Sequence, residues 1–113
     1  MNLQTFDIVK VPFPFTDKTA SKNRPALVLS SAAQFNAPAG HSVMAMITSS
    51  SHTSWPLDCI IQDLPAAGLP APSLLRFKLF TLDHRLVRGV LGHLSDPDKE
   101  NVRNHLRDLF AEI

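Results

Sequence analysis

Asn23-Arg24-Pro25-Ala26-Leu27-Val28-Leu29-Ser30 decides the fold. From Pro25 to Ser30 the run is aliphatic, too short for a buried helix, and closed by a serine pair, so it reads as a strand that is at least half buried. Ser42 to Thr48 (Ser-Val-Met-Ala-Met-Ile-Thr) repeats the pattern beyond a turn region marked by Asn36, Pro38 and Gly40. Upstream, Phe6-Asp7-Ile8-Val9-Lys10-Val11 is rich in β-branched residues, and Pro12 with Pro14 is expected to end that first strand. Residues 13–23 mix Pro14, Thr16, Asp17, Lys18, Ser21, Lys22 and Asn23 without an apolar period, the composition of a long exposed loop.

Further along, the hydroxyl-rich Ser49-Ser50-Ser51-His52-Thr53-Ser54 predicts a polar loop before a fourth strand around Leu57 to Gln62. Pro65, Gly68, Pro70 and Pro72 punctuate the next connection. In Ser73 to Phe80, Leu75, Phe77 and Leu79 alternate against Arg76 and Lys78, the signature of a fifth strand. Leu86 to Leu94 predicts one or two short final strands broken by Gly89 and Gly92. A helix is expected only at the C-terminus. Ser95 or Asp96 caps it, Pro97 suits its first turn, Asp98 and Glu100 favour its positive end, and Val102, Leu106, Leu109, Phe110 and Ile113 form one stripe. Many short strands with one terminal helix predict a mostly β fold, a small curved barrel plus helix, as a single domain over residues 1–113.

The 113 residues, 44% hydrophobic and 19% charged, have the balance of a globular protein rather than a disordered one. A domain this small leaves much apolar surface open, which favours a homodimer. Cys59 is the only cysteine and lies in the apolar run Cys59-Ile60-Ile61, so an internal disulfide is excluded and a buried, inert thiol in a reducing cytoplasm is expected. No apolar stretch approaches a membrane span and Met1 to Thr5 carries no export signal, so no membrane association is expected. The net charge of +1 is uneven: residues 96–113 hold five acidic and three basic side chains, leaving eight basic against five acidic before them. That surplus of three can attract a phosphate backbone locally without establishing a nucleic-acid partner.

His41, His52, His84, His93 and His105 are scattered without zinc-like spacing, and there is no Gly-rich phosphate loop, nucleophile elbow or paired catalytic cysteine. Metal, cofactor, nucleotide-hydrolase and acyl-transfer chemistry find no support in these patterns. Three residues remain: Arg24 at the exit of the long loop, Thr48 at the end of a strand, and Arg76 in a later strand. Taken singly, such an arginine is more often solvated or loop-anchoring and such a threonine is usually present for β propensity.

Taken together, Asp7-Ile8-Val9, Pro12-Phe13-Pro14-Phe15-Thr16-Asp17, Asn23-Arg24-Pro25-Ala26-Leu27-Val28-Leu29-Ser30, Phe35-Asn36, Ile47-Thr48-Ser49, Gly68-Leu69-Pro70, Ser73-Leu74-Leu75-Arg76, Phe80-Thr81-Leu82-Asp83 and Gly92-His93-Leu94 resemble the PemK/MazF family of toxin ribonucleases across nearly the whole chain. The resemblance implies an SH3-like barrel with a C-terminal helix, a homodimer, and metal-independent cutting of single-stranded messenger RNA by the toxin of a toxin-antitoxin pair, with a cognate antitoxin peptide in the RNA groove. It also implies that Arg24 and Thr48 are catalytic, and that Arg76 matches the arginine of an Arg-x-Asp pair. Lys78 stands where that pair would have its aspartate. Two rival readings share the fold: a CcdB-like gyrase poison and an inactive barrel that binds RNA or antitoxin. The first has a C-terminal Trp-Gly-Ile, whereas this chain ends Ala111-Glu112-Ile113 and its single tryptophan is Trp55.

The chemistry is consistent with those residue types. Metal-free RNA cleavage uses the ribose 2′-OH as nucleophile and needs a proton acceptor, stabilisation of the phosphorane charge, and a proton donor for the leaving 5′-oxygen. Guanidinium groups stay protonated and bind two phosphate oxygens, and a fixed hydroxyl orients one. Arginine is a poor base, which leaves the acceptor role to His52 or water. Lys18, Lys22, Ser49, Ser51, His52 and Lys78 are the expected RNA contacts.

Overall fold

The longest ladder joins β3 (His41–Ser49) to β5 (Ser73–Asp83), and the rest of the sheet is built outward from it. The computed structural model describes residues 2–13 and 22–112. β1 (Asp7–Phe13), β2 (Lys22–Val28), the two-residue β4 (Cys59–Ile60) and β6 (Gly89–His93) complete one antiparallel sheet ordered β4-β5-β3-β2-β1-β6. The sheet curls into a half-barrel, as the expected barrel class required. Its two faces bury separate apolar clusters. One gathers Ile8, Leu27, Ala45, Ile47 and Leu75 beneath the C-terminal helix, and the other gathers Val9, Val11, Ala26, Val28, Met44 and Leu82. Alternate residues of each strand feed alternate clusters, the period of two that a two-sided sheet imposes.

Several boundaries differ from the sequence reading for identifiable reasons. β1 runs through Pro12 to Phe13. Beyond Lys10 the strand pairs only with β2, because the β6 ladder spans Asp7 to Lys10, so the amide that Pro12 lacks faces no partner strand on that side. β2 begins at Lys22 and ends at Val28, which puts Arg24 inside the strand, opposite Val11, rather than at a loop exit. Most of the expected loop, with Lys18, lies outside the described residues. β5 continues to Asp83, and a bulge places Leu79 opposite Ala45 but Arg76 opposite Met46. β6 passes unbroken through Gly92, where a Cβ would lie 2.4 Å from the Ala66 carbonyl oxygen, so glycine admits a close neighbour instead of ending the strand.

That neighbour is α2 (Leu64–Ala67), one of several short helical turns absent from the sequence expectation; another, α1 (Ala37–Ala39), follows a π-helical turn at Ala32–Asn36, and a 3-10 turn covers His84–Leu86. Asp63 caps α2 by accepting from the Ala66 amide, and Gly68 ends it in the left-handed conformation at φ 70°. The C-terminal helix α3 (Asp96–Leu109) matches expectation: Ser95 caps it by accepting from the Asp98 amide, Pro97 sits in its first turn, and Val102, Leu106 and Leu109 pack on the sheet. Phe110 departs from the expected stripe, since the backbone leaves the helix there and the residue is 41% exposed, and Ile113 lies outside the described residues. Cys59 is buried, and burial, with the nearby Asp58 charge, pushes its thiol up to about 11, which suits an inert core residue. Among the described residues no helix is long and apolar enough to cross a membrane.

Candidate active site

Register brings the three sequence-selected residues to one face. Ala26 pairs with Met46 and Met46 with Arg76, so these three share a row across β2, β3 and β5. One step along, two residues before Ala26 and two after Met46, stand Arg24 and Thr48 on the same face, just past the point where the β2–β3 ladder ends. The strands separate there, and an open cleft of about 230 Å³ is lined by Arg24, Pro25, Thr48, Ser49 and the Leu69–Ser73 connection.

Arg24 lies 5.2 Å from the Phe13 ring centroid, a cation–π contact that fixes the guanidinium. Its Nε is buried and has no hydrogen-bond partner among the described residues. A buried guanidinium N–H without an acceptor is costly, and an anionic oxygen entering the cleft would relieve that cost. Thr48 Oγ1 shares a 2.6 Å hydrogen bond with His52 Nδ1, the donor being set by the ring's tautomer. The intervening turn is tied by His52 N donating to the Ser49 carbonyl, by Ser49 Oγ and Ser51 Oγ at 2.8 Å, and by Ser50 N donating to Pro72 O. His52 is thereby held against the cleft's threonine by short-range geometry.

Arg76 is committed differently. Its Nε and Nη2 donate to the two Asp58 carboxylate oxygens at 3.2 and 2.9 Å, and Nη2 also donates to the Thr53 carbonyl at 2.6 Å. Both side chains of this pair are only 12–13% exposed. Burial pushes the Asp58 carboxyl up, but the hydrogen bonds from Arg76 and from the Trp55 backbone, with the Arg76 charge, outweigh it and hold the group below the usual carboxylate range. Asp58 is thus the carboxylate beside Arg76, reached from the β3–β4 loop instead of from position 78. Lys78 lies 4.6 Å from the Trp55 ring centroid and Arg76 6.0 Å. Lys22 is exposed at the start of β2, two residues before Arg24, and is not among the cleft-lining residues.

Sequence reading missed Asp58 and Trp55 because nothing local marks them: Asp58 meets Arg76 across 18 positions and a loop whose path composition does not specify. The one available signal was negative, the lysine at 78, which left Arg76 in need of another partner.

A family model described as the PemK-like, MazF-like toxin of type II toxin-antitoxin systems matches residues 4–110. The chain belongs to this family. Among solved structures, a MazE–MazF complex of Deinococcus radiodurans in its third crystal form is 27% identical, with a TM-score of 0.72 and 96% of each chain covered. The second crystal form of that complex aligns over 98% of this chain and 97% of the other, at 23% identity and a TM-score of 0.75. A mycobacterial endoribonuclease in complex with its cognate antitoxin shares the fold at 13% identity, with a TM-score of 0.74 over 94% of this chain and 92% of the other. A search of curated protein sequences finds no match. Membership in the family accounts for the half-barrel and its terminal helix.

Proposed function

We propose that this toxin is a ribosome-independent endoribonuclease that cuts single-stranded RNA at short sequences by 2′-OH attack, without a metal. The observation that carries the reading is the meeting of Arg24 and Thr48 at one cleft, with a buried guanidinium N–H on Arg24 that has no partner among the described residues. Arg24 stabilises the charge that builds on the phosphorane, and Thr48 orients a phosphate or ribose oxygen. His52, hydrogen-bonded to Thr48, is the proton acceptor, since imidazole is the side chain suited to proton exchange near neutrality. Arg76 stands on the same face, but its charge is matched by the ionised Asp58 and its Nε and Nη2 are already committed, so it is not free to wrap a phosphate with both. Asp58 stays ionised in that pair and is a weak base, so it does not fill the acceptor role.

The outer contacts follow from position. Ser49 lines the cleft, Ser51 is hydrogen-bonded to it, Lys78 stands beside Trp55, and Lys18 and Lys22 precede Arg24 in the sequence; these are the groups assigned to the RNA backbone. The protein works in the cytoplasm as a homodimer, with a cognate antitoxin peptide as its inhibitor. An open apolar hollow of about 380 Å³ lined by Leu29, Val43, Leu79, Leu106 and Phe110 is the surface a second copy would cover. Sedimentation at the 12.4 kDa monomer mass would contradict the dimer.

The deciding experiment incubates purified protein with a long RNA in EDTA, without ribosomes, and maps the new ends. Discrete cuts bearing 2′,3′-cyclic or 3′-phosphate and 5′-hydroxyl ends are expected. Intact RNA, or cutting that requires a divalent cation, would overturn the assignment.

A further inference from the structure

Trp55 is an aromatic ring that the fold leaves 43% exposed, yet its backbone is fixed. Its amide donates to Asp58 Oδ2 at 2.9 Å, and its carbonyl accepts from the Asp58 amide at 3.2 Å. The same Asp58 carboxylate receives the Arg76 guanidinium, which also holds the Thr53 carbonyl two residues before the tryptophan. A ring presented on a segment tied at these points loses little freedom when it binds something flat. It stands beside Arg76, whose row across the sheet is one step from Arg24 and Thr48. Same-face residues along a strand are about 7 Å apart, so ring and cleft lie within reach of one bound strand.

We propose that Trp55 is a stacking platform for one unpaired nucleobase of the bound RNA, with Lys78 passing from the ring to the adjoining phosphate. This rests on the nuclease reading above and names a base-contacting residue within it. Two cations approach the ring, Lys78 Nζ at 4.6 Å from its centroid and Arg76, already paired with Asp58, at 6.0 Å. Such surroundings suit a strand that brings both a π-face and an anion at each step, whereas an aromatic or aliphatic anchor of a peptide would call for an apolar pocket. The Lys78 ammonium is exposed and mounted on a flexible stem, so it can leave the ring for a phosphate oxygen without disturbing the sheet.

Trp55 is the sole tryptophan and the chain has no tyrosine, so intrinsic emission reports this ring alone. The test titrates the full chain with a short, uncleavable 2′-O-methyl oligoribonucleotide, following tryptophan emission together with the anisotropy of a label on the oligonucleotide. Inorganic polyphosphate supplies charge without bases. Expected are quenching that saturates in step with anisotropy, no quenching by polyphosphate, a loss of affinity on the order of 5- to 100-fold in Trp55→Ala, and near wild-type affinity in Trp55→Phe. Binding by anisotropy with unchanged emission, equal quenching by polyphosphate, or full affinity in Trp55→Ala would overturn the stacking role. An emission change produced by an acidic peptide but not by the oligonucleotide would overturn it in favour of a peptide surface. Absence of any oligonucleotide binding would overturn the nuclease reading itself, a distinct outcome.

Discussion

Thr48 and His52 are four positions apart, and the tight serine turn between them brings hydroxyl and imidazole to 2.6 Å. If His52 accepts the 2′-OH proton, His52→Gln lowers the single-turnover cleavage rate by on the order of 10²- to 10⁴-fold with little change in RNA affinity. Thr48→Ala gives a smaller loss, about 10- to 100-fold, because it removes one orienting oxygen. Rates measured on one labelled oligonucleotide check both, and an unchanged rate in His52→Gln would move the acceptor role to water. At this scale the sequence was partly legible. His52 stood out by its hydroxyl-rich loop, whereas Arg24 and Thr48 were weak singly and took their meaning from the family resemblance. Asp58 did not stand out, since its meaning comes from a partner 18 positions away.

At the scale of elements, Asp98 shows how a residue legible for one role performs another. Its place in the first turn of α3 suggested a favourable charge at the dipole's positive end. The side chain is in fact 3% exposed and accepts from the Gln62 and Asp63 amides at 3.1 and 3.0 Å, fastening the β4–α2 connection to the helix. Asp98→Ala strands two amide donors and is expected to destabilise the fold by about 2–5 kcal/mol, read from the urea midpoint. Asp98→Asn, which keeps an acceptor oxygen, loses less. Strands β3 and β5 and helix α3 were legible because long apolar periods and caps are local signals. The turns α1 and α2 were not, because proline and glycine mark turns without saying which ones wind into helix. Nor could composition show that Pro12 lies where β6 has already stopped pairing with β1.

For the whole molecule, acid sensitivity follows from how the sheet buries its polar groups. Ser42 Oγ is fully buried and bonded to His84 Nε2 at 2.7 Å, joining β3 to the turn that follows β5. Burial, with the neighbouring His41 charge, holds the His84 imidazole below its ordinary value. The folded state therefore binds fewer protons at this site than the unfolded chain, so stability present above about pH 6.5 is lost as pH falls below it. A second decline is expected below about pH 4, where Asp58 and Asp83, both held low by their arginine partners, take up protons more readily in the unfolded chain. Urea midpoints across pH 3–8 check this, with His84→Gln flattening the first step; a midpoint constant from pH 7 to 5 would contradict it. The central claim also belongs to this scale, because only the folded sheet brings the ends of β2 and β3 together at the cleft. It is tested most directly by the single-turnover cleavage rate of Arg24→Ala beside wild type, at matched urea midpoints. A loss on the order of 10³-fold with the fold intact is the predicted result, and a rate near that of wild type would contradict the account.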